Sequence, residues 1–316
     1  MAKFFDVTAY GAVANGKDDN SKQFLRAWGD ACQWNGNSVM IIPKGIYQLI
    51  LFKHVDWLLV EGSGTVDGQG AAVWSRDDCK HNGRVCNPLP ISMGFNFVKN
   101  SKIANLNMIN SKSVHLKLYR SQQVMISGVK ITAPENSPNT DGINIAESQD
   151  IKVQDCNIAC GDDCVSMLNG NQNVEVFNVA CGPGHGISVG SLGQSVGDGK
   201  SVGVTGLHVK NCTLRDIHME NADNPIIIDQ HYCPSHSCNN QAQSSIQIKN
   251  VTFVNIWGQS STPVAVNIQC SSKVPCSEFK LQNINLAYNG REGVAKSECL
   301  NVHGQSFGQE HPSGCF

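Results

Sequence analysis

Between Asn139 and Gly186 the sequence carries three short polar motifs, Asn139-Thr140-Asp141, Gly161-Asp162-Asp163 and Gly184-His185-Gly186, each bracketed by small residues. Three carboxylates and an imidazole are the equipment of proton transfer, in which one group donates a proton while another withdraws one. Asp141 and Asp162 are 21 residues apart, and Asp162 and His185 are 23 apart, close to the period of the chain's apolar runs. If each period is one coil of a solenoid, equivalent positions stack about 4.8 Å apart and the four groups share one face. Carboxylates packed that closely raise one another's pKa, which keeps one of them protonated near its working pH. Asp162 and Asp163 would point to opposite faces of a regular strand. Both reach one site only where a turn or bulge breaks the alternation, and Gly161 makes such a break available.

A frame with the same period is visible in the sequence. From Val55 onward it runs WLLVEGSGTVDGQG, SKIANLNMINS, QQVMISGVKITAP, QDIKVQDCNIAC, QNVEVFNVACGP, SVGVTGLHVKNCTL, SSIQIKNVTFVNIWG and SEFKLQNINLAYN. Each is a short β-branched run, then Asn, Asp or Gly, then another short run, recurring at roughly 20 to 30 residues, the pattern of a right-handed parallel β-helix. An antiparallel β-sandwich would want Asn-Gly hairpins at most junctions. Here Asn-Gly falls at Asn15, Asn35, Asn82, Asn169 and Asn289, mostly outside the repeats. The fold class is therefore all-β, a single-stranded parallel β-helix, read as one unit over residues 1–316. Phe4 to Gly11 reads as a strand ending at a turn, and Val39 to Ile50 as strand, turn at Pro43-Lys44-Gly45, strand. Asp18 to Gln33 is the one convincing helix, with Phe24, Leu25, Trp28 and Cys32 on one face, suited to capping the open end of the stack.

Hydrophobic residues make up 41% of the 316 and charged residues 16%, with a formal net charge of −2. That charge offers no basic field for nucleic acid, so a polyanionic substrate would have to be gripped by local Lys and Arg in a groove. No run is long and apolar enough to span a membrane. The 14 cysteines exceed normal cytosolic use. Short spacings pair Cys79 with Cys86, Cys164 with Cys181, Cys233 with Cys238, Cys270 with Cys276, and Cys299 with Cys315 as disulfides in an oxidising compartment. A zinc site competes poorly, because no Cys-x-x-Cys pair faces another and the His residues are scattered. Asn211 and Asn250 open possible glycosylation sequons. Met1-Ala-Lys-Phe-Phe-Asp6 enters the first strand at once, without a visible signal peptide.

The three motifs, in order and at coil spacing, resemble those of the polygalacturonases, the pectin-cleaving glycoside hydrolases, whose family motifs are NTD, DD, GHG and a later RIK. The longer contexts SPNTDGI, GDDCVS and CGPGHGISVGSLG are most similar to the plant pollen-type exopolygalacturonases, with similarity from Phe5 to Cys315. The resemblance implies a pectin-lyase-like β-helix that hydrolyses α-1,4 bonds between galacturonate units with inversion. Asp162 would be the general acid, Asp141 and Asp163 would activate water, and His185 would tune the acid. Asn139, Gly186 and Tyr232 would meet substrate. No cofactor or metal is implied, and the expected partner is polygalacturonate, met by a monomer outside the cell or in its wall. Stacking alone, at about 5 Å, would suit a retaining carboxylate pair, and inversion wants about 6.5 to 9.5 Å. The family's chemistry decides for inversion.

Two departures bear on activity. The family's Arg-Ile-Lys motif is absent: CTL at Cys212 runs straight into RDIHMENADNP as though a coil had been removed, and Lys210 lies too early to replace it. A second coil is missing after Tyr47-Gln48-Leu49, where the family has a Cys to partner Cys32, which leaves Cys32 unpaired. Loss of a cation that meets the galacturonate carboxylate gives the competing reading, a pectin-binding relative with little or no turnover. A pectate lyase would need calcium and a basic proton abstractor, and these motifs match the hydrolases instead.

Overall fold

The computed structural model describes residues 2–43, 50–75, 89–190, 192, 208–231 and 244–316. Every strand pairing among them is parallel. The chain alternates between a 12-stranded and a 9-stranded sheet. One circuit runs from Gln149–Ala159 in the larger sheet to Asp163–Met167 in the smaller, back to Gln172–Cys181, and on to Gly186–Val189. This circuit is the structural basis of the period read from the motifs. The smaller sheet stacks Ile50–Lys53, Met93–Asn96, Leu116–Tyr119, Ile143–Ala146, Asp163–Met167, Gly186–Val189, Ile226–Asp229, Val264–Gln269 and Lys296–Leu300 in that order.

Alternation along each strand builds the core. Ile143, Val165, Ile187, Ile226 and Val266 stand in register on successive coils, and all are buried in one continuous apolar cluster that extends from Phe52 to Ala295. Burying each such side chain contributes about 1.5 to 3 kcal/mol, and a single coil has nothing to bury it against. Stacking therefore stabilises what no coil could hold alone. The alternate positions Asn144, Ser166 and Ser188 line up on the opposite face of the same sheet.

Asn and Asp between the apolar runs also have a physical explanation. Asp155, Asn178, Asp216, Asn255 and Asn283 adopt left-handed backbone conformations, which short polar side chains tolerate better than branched ones. Their side chains form two short ladders: Asn178 Nδ2 donates to Asp155 Oδ1 at 2.6 Å, and further along the stack Asn255 donates to Asp216 at 2.9 Å and Asn283 to Asn255 at 3.0 Å. A third ladder links Asp150, Asn173, Asn211 and Asn250. Both sequon asparagines belong to it, so a glycan on Asn211 or Asn250 would leave its Nδ2 a single N–H, the one the ladder uses. Inside the stack, buried Asn171 donates to the carbonyls of Ile145 and Leu168 and accepts from the Ser148 N–H.

The N-terminal segment departs in detail from the sequence expectation. The strand is Lys3–Asp6, followed by a 3-10 turn at Val7–Tyr10, and the helix is Ser21–Gln33 rather than Asp18 to Gln33. Its buried face is Ala27 and Ala31, with Phe24 and Trp28 half-buried, and Leu25 is 69% exposed. Ala27 packs with Val7 and Ala12 of the N-terminal segment, and Leu25 and Cys32 are turned away toward solvent. The helix does close that end of the stack: Trp28 packs edge-on to Phe52 at 5.6 Å, and Phe52 stacks on Phe95 at 5.2 Å. Cys32 is exposed and unpaired, as expected.

Disulfides join Cys164 to Cys181, Cys270 to Cys276 and Cys299 to Cys315. The expected pairs Cys79 with Cys86 and Cys233 with Cys238 lie outside the described residues, as do the turn at Lys44-Gly45 and the junction at Tyr47-Gln48-Leu49. Lys210 lies within the continuous strand His208–Ala222, level with Gln172 and Lys249.

Candidate active site

The same turn, between the larger sheet and the smaller one, recurs on four successive coils and carries Asp141, then Asp162 and Asp163, then His185, then Asp223. Stacking binds these turns to one another. His185 N–H donates to Asp162 O at 2.9 Å, Asp223 N–H to Gly184 O at 2.7 Å and Asn224 N–H to His185 O at 3.1 Å. The strand register slips between Asp163 and Val165, and this bulge brings the adjacent carboxylates of Asp162 and Asp163 to one site. Gly161 lets this turn pass close to the preceding one: a Cβ there would meet the Ser137 carbonyl oxygen at 2.1 Å.

The three carboxylates are held in two different ways. Asp141 Oδ2 accepts from Ser166 Oγ at 2.8 Å, and Asp163 Oδ2 accepts from Ser188 Oγ at 2.5 Å. Ser166 and Ser188 are register partners, so Asp141 and Asp163 make the same contact one coil apart. Asn144 Nδ2 steadies the first serine by donating to Ser166 Oγ at 2.8 Å. Asp162 has no serine. Its Oδ1 lies 3.2 Å from His185 Nδ1 and accepts from the Asp163 N–H at 2.9 Å, while Asn139 Nδ2 reaches its Oδ2 at 3.3 Å. His185 Nε2 lies 3.7 Å from Asp223 Oδ2 on the far side.

Electrostatics follow from these contacts. Burial, reinforced by the Asp162 charge, pushes Asp141 up to about 6 against the Ser166 hydrogen bond. Burial and the charges of Asp141 and Asp162 push Asp163 up to about 8 against Ser188. Burial acts on Asp162 in the same direction, but the His185 hydrogen bond and charge outweigh it and hold Asp162 below its ordinary value. His185 rises to about 9, chiefly through the Asp162 hydrogen bond and against burial, with the charges of Asp162, Asp163 and Asp223 adding to it. The four groups titrate as one unit. In the free protein the proton expected on Asp162 is therefore shared with, and held mainly by, His185.

Asp162, Asp163 and His185 each offer a ligand atom within 4.8 Å of the others, close enough for a cation to use. His185 directs one ring nitrogen at Asp162 and the other at Asp223, a proton-handling arrangement, and no metal role is assigned.

The expected residues Asn139, Asp141, Asp162, Asp163 and His185 come together. Gly186 is buried at the start of the neighbouring strand, and a Cβ on it would meet the Asn224 carbonyl oxygen at 2.2 Å. Close approach of the next coil, at a φ of +93°, is what requires glycine there. Tyr232 lies outside the described residues. Sequence reasoning passed over Ser166, Ser188, Asp223 and His115. The serines were findable, since each stands 25 residues after the carboxylate it holds. Fully buried His115 accepts from Ser111 N–H through Nε2, which leaves Nδ1–H to donate to Asp141 O at 2.9 Å. Burial pushes its pKa down to about 4, so it is a neutral brace for the Asp141 backbone.

Among proteins of known structure, the endo-xylogalacturonan hydrolase of Aspergillus tubingensis superposes over the whole of both chains with a TM-score of 0.67 at 17% identity. The family 28 exopolygalacturonase of Yersinia enterocolitica covers 97% of this chain and 76% of its own, with a TM-score of 0.64 at 14% identity. At those identities the likeness concerns the fold. Sequence relatives are nearer: an exopolygalacturonase of Zea mays is 35% identical over 376 positions, covering 99% of this chain and 90% of the relative. The exopolygalacturonase of Platanus acerifolia is 35% identical with 98% and 97% covered, and a polygalacturonase of Nicotiana tabacum is 34% identical with 98% and 91% covered. The family description "Glycosyl hydrolases family 28" matches residues 37–216 and 200–312. On the β-helix, the motif-bearing turns and these matches together, the chain belongs to glycosyl hydrolase family 28.

Proposed function

We propose that this chain hydrolyses α-1,4 bonds between galacturonate units of de-esterified pectin, acting from chain ends and with inversion. The observation that carries the reading is the division of the three carboxylates: Asp141 and Asp163 are held alike by Ser166 and Ser188, and Asp162 stands apart with His185. Two equivalent carboxylates on neighbouring coils suit the holding of one water. A third, coupled to an imidazole that carries the proton, suits the leaving group.

In the proposed cycle the proton carried by His185 passes through Asp162 to the glycosidic oxygen as that oxygen's bond to the anomeric carbon breaks. Water attacks the opposite face of the same carbon, and its proton passes to the Asp141–Asp163 pair. With values of about 6 and about 8, this pair is singly ionised between them and can accept one proton. The two products leave, and exchange with solvent resets the cluster. End-wise action is favoured by the relatives from Zea mays and Platanus acerifolia, both exopolygalacturonases. Three disulfides favour an extracellular setting. No described helix is long and apolar enough to cross a membrane.

A second reading, an impaired relative that binds pectin, is favoured by the alignment length. The match to the Zea mays relative runs over 376 positions against 316 residues here, so that relative has stretches this chain lacks. The test is release of reducing ends from polygalacturonate by the parent and by Asp162→Asn. The proposed function predicts turnover in the parent and its loss in the variant; binding without turnover in the parent selects the second reading.

A further inference from the structure

Asp223 lies on the far side of His185 from Asp162, and none of the motifs pointed to it. Its placement is constrained at several points. The Asp223 N–H donates to Gly184 O at 2.7 Å, and the next residue's N–H donates to His185 O at 3.1 Å. Ser261 Oγ donates to Asp223 Oδ1, and Thr262 Oγ1 donates to the Asp223 carbonyl oxygen. Ser261 N–H is itself fixed to Ala222 O at 3.0 Å. With Oδ1 occupied by a residue of the following coil, Oδ2 is the oxygen that faces His185 Nε2 at 3.7 Å. His185 is thus flanked by one carboxylate on each ring nitrogen, Asp162 from the coil below and Asp223 from the coil above.

We propose that Asp223 is a positioning residue for the reaction: it holds the His185 ring between two carboxylates, keeps it as the imidazolium, and thereby keeps a proton available to Asp162. The inference rests on the proposed role of Asp162 as the acid. A neutral His185 with one unpartnered nitrogen would be free to rotate away from Asp162, whereas two anionic partners fix both the orientation and the charge. The anionic groups that face the ring are Asp162 and Asp163 from the turn below and Asp223 from the turn above. Removing the last takes away one of three charges that favour the protonated ring, so the imidazolium should lose its proton at lower pH.

The experiment is an NMR titration of the His185 ring in parent, Asp223→Asn, Asp223→Ser and Asp223→Glu proteins, with kcat/KM against pH for each. Asp223→Asn should lower the His185 midpoint by roughly half to one unit and move the basic limb of the rate profile down with it. Asp223→Glu should recover at least half of both shifts. If Asp223→Asn does not fold, Asp223→Ser, which keeps a hydroxyl near Ser261, carries the same expectation. An unchanged His185 midpoint in the folded variant overturns the proposal. The ring titration does not need turnover, so the two readings can fail separately. Activity surviving in Asp162→Asn would overturn the acid assignment. Loss of activity there together with an unmoved His185 midpoint in Asp223→Asn would overturn only the role of Asp223.

Discussion

Asp162 Oδ1 and His185 Nδ1 lie 3.2 Å apart across neighbouring coils, and this contact sets Asp162, the proposed acid, apart from Asp141 and Asp163. Asp162→Asn should keep the fold, because the amide can still occupy the space beside Asn139 and the Asp163 N–H. It should lower hydrolysis of polygalacturonate by about a hundredfold to ten-thousandfold, the range contributed by a positioned acid. Circular dichroism and reducing-end assays measure both. Retention of more than about a tenth of the parent rate, well outside that range, would remove Asp162 from the role.

Activity should follow a bell-shaped pH profile. Its acid limb belongs to ionisation of the Asp141–Asp163 pair, the first member of which is pushed up to about 6. Its basic limb belongs to the loss of the His185 proton, near 9. Steady-state kcat/KM measured across this range should rise through the first value and fall through the second. A profile that is flat between pH 5 and about 9 would show that these groups do not govern the rate.

Asp163 also makes a stability prediction. Its folded pKa of about 8 lies far above that of an unfolded Asp, about 3.9. The folded state therefore binds this proton more tightly, and the stability associated with it is full below the unfolded value and lost as pH rises through about 8. Asp163→Asn removes the ionisation, so its Tm should exceed the parent's at pH 8 by about 2 °C or more and match it at about pH 3.5. Equal displacements at both pH values would show that Asp163 is not buried as a strained carboxylate.

Much of this architecture was legible in the chain. The polar motifs recur with the circuit between sheets, so their spacing alone placed Asp141, Asp162 and His185 on one face, and Gly161 announced the bulge beside Asp163. Other features were hidden because they depend on contacts between coils that no local pattern encodes. Asp223 reaches His185 only because the turn after His208–Ala222 stacks on the turn that holds Gly184. The helix face was misplaced because Leu25 was weighted as apolar, whereas close packing selected the small Ala27 and Ala31.

Asn171 tests the polar interior. It satisfies three backbone groups from the buried side, so Asn171→Ala should cost on the order of 2 kcal/mol or more by leaving them without partners. Denaturant unfolding would measure it. A loss below about 0.5 kcal/mol, the lower end for a single hydrogen bond, would mean that the groups find other partners.

The proposed chemistry is tested most directly by the anomeric form of the first galacturonate released, followed by proton NMR before mutarotation. Water held by Asp141 and Asp163 on the face opposite the leaving oxygen predicts that the α-linked substrate yields the β-anomer first. The α-anomer as first product would contradict the account, because it would require one of these carboxylates to attack carbon rather than to activate water.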